Sequence, residues 1–105
     1  MRISDSVAIL NSENFCEAID YALAQGCEVV TMSMAGKPSP RMARAINRAY
    51  EGGLVVVSAA SNCWYDGFPK TLLPKCVLYP AAFKRVIAAT GAMYNHQPYD
   101  SKFRY

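Results

Sequence analysis

Two short stretches of small residues and one asparagine are where this sequence could hold a substrate. Ser33-Met34-Ala35-Gly36 and Ala60-Ser61-Asn62 carry little side-chain bulk, so an extended chain can approach their backbones. The Asn62 amide is a neutral donor suited to an oxygen on which negative charge develops. Asparagine beyond a strand is also a frequent turn former, so its type alone leaves both roles open. Other reactive groups read as ordinary. His96, the single histidine, sits in the polar run Asn95-His96-Gln97-Pro98 and is expected to be a solvated loop residue. Asp20 falls in a helical stretch as a surface charge. The cysteines Cys16, Cys27, Cys63 and Cys76 lack C-x-x-C spacing, which with one histidine argues against a zinc site. Cys63 and Cys76 flank a turn-rich loop and are a candidate pair. Cys16 and Cys27 read as small buried hydrophobes. The cysteines leave the redox compartment open.

The elements that must position these residues alternate between helix and strand. Phe15, Ala18, Ile19, Ala22 and Leu23 recur at helical spacing and predict a helix from about Asn14 to Gln25. Asn14 with Glu17 resembles a capping pair, and Gly26 suits a left-handed terminator. Glu28 to Met34, rich in β-branched residues, predicts a strand. Ser39 and Pro40 open a second helix that Gly52-Gly53 closes. Met42, Ala45, Ile46, Ala49 and Tyr50 form its expected buried face, and Arg41, Arg44 and Arg48 its solvated one. Leu54 to Ala60 is nearly all apolar, as a strand covered on both faces would be. A long loop from Asn62 to Pro80 follows, then a strand from Val86 to Thr90. Strand, helix, strand with short connections makes the fold class α/β, a mostly parallel sheet with flanking helices. Ligands bind such sheets outside the carboxyl ends of the strands, where both small-residue stretches fall.

Composition fits a folded domain: 105 residues, 52% hydrophobic and 18% charged. A net charge of +3, with basic residues spread from Arg2 to Arg104, gives little basis for a nucleic-acid partner. The apolar runs are far too short for a membrane span. Arg2 is followed by Ser4-Asp5-Ser6 rather than an apolar segment, so no secretory signal is read here, and no localisation follows.

The order of segments resembles the subtilase (subtilisin-like, peptidase S8) family from about Phe15 to Phe103. Ala18-Ile19-Asp20-Tyr21-Ala22 and Val29 to Gly36 are similar to its helix and its strand ending S-[LM]-G-G. Gly53 to Asn62 is similar to G-[IV]-V-V-V-A-A-A-G-N. Tyr79-Pro80-Ala81-Ala82-Phe83 and Val86 to Ala92 resemble its Y-P-A and V-I-A-V-G-A segments. The resemblance implies that Asn62 is the side-chain donor of an oxyanion hole. It implies that Ser33-Met34-Ala35, leading to Gly36, and Ala59-Ala60-Ser61 wall the pocket for the residue before the scissile bond. Pro80 matches a proline beside that pocket, often preceded by a cis bond. Ser61 and Ala35 stand where the family has glycine, which implies a narrower or more polar pocket. The stretch Cys63 to Lys75 has no close counterpart. The family's parent enzymes are serine endopeptidases acting on peptides, and many secreted members bind calcium. Carbonyls near Ala81 to Val86 match a cation-binding region of some, although no cofactor is required.

A triad needs aspartate, histidine and a nucleophilic serine. In the family the first two precede the matched region, and the serine follows it in G-T-S-[MA]. That motif is absent here, and Ser101 reads as a surface serine. The 105 residues are therefore expected to be a partial subtilase domain, inactive alone, whose partners are a peptide substrate and the remainder of the protease domain. Left isolated, its sheet is expected to expose an apolar patch and associate. A triad-less relative that binds peptides without cleaving them and an unrelated α/β ligand-binding domain are the alternatives.

Overall fold

The computed structural model describes residues 8–9, 11–60, 77–92 and 94–96. Its elements run β1 (Ala8–Ile9), α1 (Ser12–Ala24), β2 (Val29–Met32), β3 (Ala35–Gly36), α2 (Pro40–Glu51), β4 (Val55–Ala59) and β5 (Ile87–Ala89). Strands β2, β4 and β5 form a parallel sheet in that order, and β1 pairs with β3 in a parallel ladder of its own. The α/β class read from the sequence is the observed one.

Local chemistry sets the helix limits. α1 begins earlier than the expected Asn14, because Asn11 is its cap: Asn11 Oδ1 accepts from the Glu13 amide at 2.8 Å. An aspartate-like side chain at that position satisfies a donor the helix cannot. Its far end turns at Gly26, whose φ of 72° is the left-handed value glycine tolerates. α2 opens as expected, with Ser39 Oγ accepting from the Met42 amide at 3.1 Å and Pro40 at the first helical position.

The two helices pack together on one face of the sheet. Phe15, Ile19 and Ala22 from α1 meet Met42, Ala45, Ile46 and Ala49 from α2 over Leu54, Val56 and Val86. Three residues depart from the expected burial. Cys27 is exposed, since it lies beyond the helix end, and Cys16 is only half-buried. Tyr50, expected on the buried face of α2, is 58% exposed at its last turn.

The opposite face of the sheet carries exposed apolar side chains. Side chains alternate along a strand. Val56 and Ser58 of β4 point to the helices and are buried, whereas Val55 is 44% exposed. Val29, in register with Val55, is 57% exposed, as is Ile87. On that face of β4 Val55 is exposed, and Val57 and Ala59 are half-buried.

Ser58 is the buried exception to an apolar interior. It is fully enclosed, and its hydroxyl has no hydrogen-bond partner among the described residues. Such an orphan group costs about 1–3 kcal/mol. Ser58→Ala is therefore expected to raise stability by about 1 kcal/mol, read as a higher urea midpoint at unchanged slope; a lower midpoint would mean the hydroxyl has a partner.

Candidate functional site

The parallel register brings the carboxyl ends of β2 and β4 to one edge of the sheet. Met32 lies opposite Ser58, so Ser33-Met34 lies alongside Ala59, the last residue of β4, and Ala60 beyond it. β5 flanks them, with Ala59 opposite Ala89 and the Ala60 amide donating to the Ala89 carbonyl at 2.8 Å. Beyond Met34 the chain re-enters a ladder: Ala35 and Gly36 pair with Ala8 and Ile9.

A backbone crosspiece joins the two stretches. The Leu78 amide donates to the Ala60 carbonyl at 3.4 Å, and the Gly36 amide donates to the Tyr79 carbonyl at 2.9 Å. The second contact is an antiparallel bridge between Gly36 and Tyr79. The Tyr79–Pro80 bond is cis, and Pro80 is buried. The chain then coils tightly, with the Ala82 amide on the Leu78 carbonyl, Phe83 on Pro80 and Val86 on Phe83. The rings of Tyr79 and Phe83 meet edge to face at 4.7 Å.

Of the residues singled out from sequence, Ser33, Met34, Ala35, Gly36, Ala59, Ala60 and Pro80 thus belong to one connected edge. Ser33 is exposed, Pro80 buried, and the rest half-buried. Asn62 and Ser61 lie outside the described residues, as do Cys63, Cys76 and Ser101. The crosspiece was missed by sequence reasoning because its bonds run between main-chain groups. Proline after tyrosine was the available signal.

The other polar features have local explanations. Arg41 pairs with Glu13, and Arg48 forms a two-pronged pair with Asp20 at 3.1 Å, across the exposed faces of α1 and α2. The hydrogen bond to Asp20 pushes the Arg48 guanidinium further above its usual value. Glu13, Glu17, Arg41, Arg44 and Arg48 line an open groove together with Cys16. Burial pushes the Cys16 thiol up, against the opposing pull of Arg48, so it stays a thiol at neutral pH. His96 is exposed, with a φ of 63°. No group of three or more His, Cys, Asp or Glu comes together among the described residues, and no described helix is long and apolar enough to cross a membrane.

Comparison with known proteins bears on this edge. The family model of the subtilase family (peptidase S8) matches residues 4–102. The chain is 32% identical over 90 residues to subtilisin DY of Bacillus licheniformis, an alignment covering 79% of this chain and 31% of that protein. Among solved structures, sphericase superposes with a TM-score of 0.57 at 28% identity, over 78% of this chain and 26% of its own. The PatG macrocyclase, solved in complex with peptide, gives 0.68 at 20% identity, over 86% and 25% of the two chains. The chain spans under a third of the length of each of these three proteins.

Proposed function

Because the chain belongs to the subtilase family, a family of serine endopeptidases, we propose that its 105 residues form part of a protease domain and furnish one side of its peptide cleft. The observation that carries this reading is the edge where Ser33–Gly36 and Ala59–Ala60 are tied by Leu78 and Tyr79. Two lines of small residues held at fixed separation leave room for a side chain between them. Ser33 and Met34, which belong to no strand, offer main-chain groups to an extended peptide. Ser61 extends the second wall, and Asn62, next in sequence, donates to the oxyanion of the tetrahedral intermediate.

Chemistry requires a nucleophile and its base from elsewhere. An oxyanion donor lowers the energy of a charge only after a nucleophile has created it, so these residues position and stabilise but do not attack. No cofactor is needed for that role. The uncovered sheet face with Val29, Val55 and Ile87 supports the same reading, since parallel sheets are ordinarily covered on both faces. The missing cover is the partner we assign to it, the remainder of a protease domain.

Two measurements test the proposal. An uncharged extended peptide should shift the amide resonances of Ser33 to Gly36 and of Ala59 and Ala60 together, and shifts confined elsewhere would sink the cleft. The chain alone should take no label from a fluorophosphonate probe. A stable adduct would reveal a competent nucleophile among these residues.

A further inference from the structure

We infer that Arg85 is a positioning residue for the cleft: braced on the end of α2, it fixes the crosspiece that sets the separation of the two walls. The guanidinium carbon of Arg85 stands 4.4 Å from the centre of the Tyr50 ring, and its Nη1 lies 3.8 Å from Glu51 Oε1. Both partners occupy the last turn of α2, where a cation also meets the negative end of the helix dipole. This accounts for a tyrosine that leaves the core although its neighbours Ile46 and Ala49 are buried. Its ring is a platform for Arg85.

From Arg85 to the walls the chain has little slack. Val86 is anchored in the core beside it. Three main-chain bonds and the Tyr79–Phe83 contact close the coil between Leu78 and Val86. A displacement at Arg85 is therefore passed to Leu78 and Tyr79. The Leu78–Ala60 bond, at 3.4 Å, is the longer of the two wall contacts and the more sensitive to placement. Among the described residues Arg85 contacts Tyr50 and Glu51 on α2, so its influence on the walls runs through the crosspiece.

The functional sense of this role rests on the reading of the walls as a peptide cleft, but its test needs no substrate. Hydrogen exchange at single amides of the full chain would compare wild type with Arg85→Met, Arg85→Lys and Tyr50→Leu. An exposed cation–ring contact changes a local opening equilibrium by roughly 2–5-fold. Arg85→Met and Tyr50→Leu should speed exchange at Leu78 and Gly36 by that factor. The core amide of Leu54, bonded to Ala49, should keep its rate, and Arg85→Lys should restore most of the protection. Unchanged Leu78 and Gly36, an equal rise at Leu54, or a lysine variant no better than methionine would each overturn the inference. Failure of the peptide to shift the wall amides, with the exchange effect present, would overturn the cleft reading and leave the positioning role standing.

Discussion

Asn62→Ala, placed in a protease assembled from this chain and triad-bearing segments, is expected to lower kcat by roughly 10²–10³-fold while leaving KM nearly unchanged. The split follows from when the amide acts. A ground-state carbonyl oxygen carries little charge and lies short of the donor, so substrate binding gains little from it. The tetrahedral intermediate places a full negative charge within reach, and a neutral donor in a water-poor site stabilises it by about 3–4 kcal/mol. Steady-state kinetics on a peptide amide separate the two constants. A fall in kcat below tenfold, or a loss carried by KM, would mean that Asn62 shapes the loop and leaves the oxyanion to other donors.

Phe15→Ala is expected to remove about 3–5 kcal/mol of stability. Phe15 is completely enclosed where α1 meets α2 and the sheet, among Ile19, Met42 and Ile46. Truncation deletes its transfer energy and leaves a cavity that two helices held by the same cluster cannot easily close. Whole domains are stable by roughly 5–15 kcal/mol, and a sheet that leaves Val29, Val55 and Ile87 exposed starts at the low end of that range. Circular dichroism in urea should show the alanine variant largely unfolded without denaturant, whereas Phe15→Leu, which keeps most of the volume, should still melt cooperatively. An alanine variant within 1 kcal/mol of wild type would place the core elsewhere.

What the sequence revealed and what it hid divide along physical lines. Ser39 and Pro40 made the start of α2 legible because capping is local chemistry. The same logic misplaced the start of α1: Asn14 and Glu17 have the spacing of a capping pair, yet Asn11 holds the cap. The apolar run Leu54 to Ala60 reads as a strand made for cover on both faces, which is why an exposed patch was expected of the isolated chain, and Val55 lies on it. The two strand ends were legible as runs of small residues, and Pro80 through its tyrosine neighbour. Their linkage was not, for a hydrogen bond from the Gly36 amide to the Tyr79 carbonyl depends on no side chain. Tyr50 and Arg85 were hidden for the opposite reason. Each is an ordinary surface type, and only their juxtaposition across the fold gives them a task.

The bond between the Ala60 carbonyl and the Leu78 amide has a consequence for how this protein can diversify. It clasps together the two ends of the intervening stretch, so the geometry of the walls is set before that stretch and after it. Its length is then nearly free to vary, because doubling a loop with fixed ends adds only about 0.6 kcal/mol of closure entropy. Insertions, deletions or a grafted sequence between those two anchor points are therefore expected to leave the paired strand ends and their crosspiece in place.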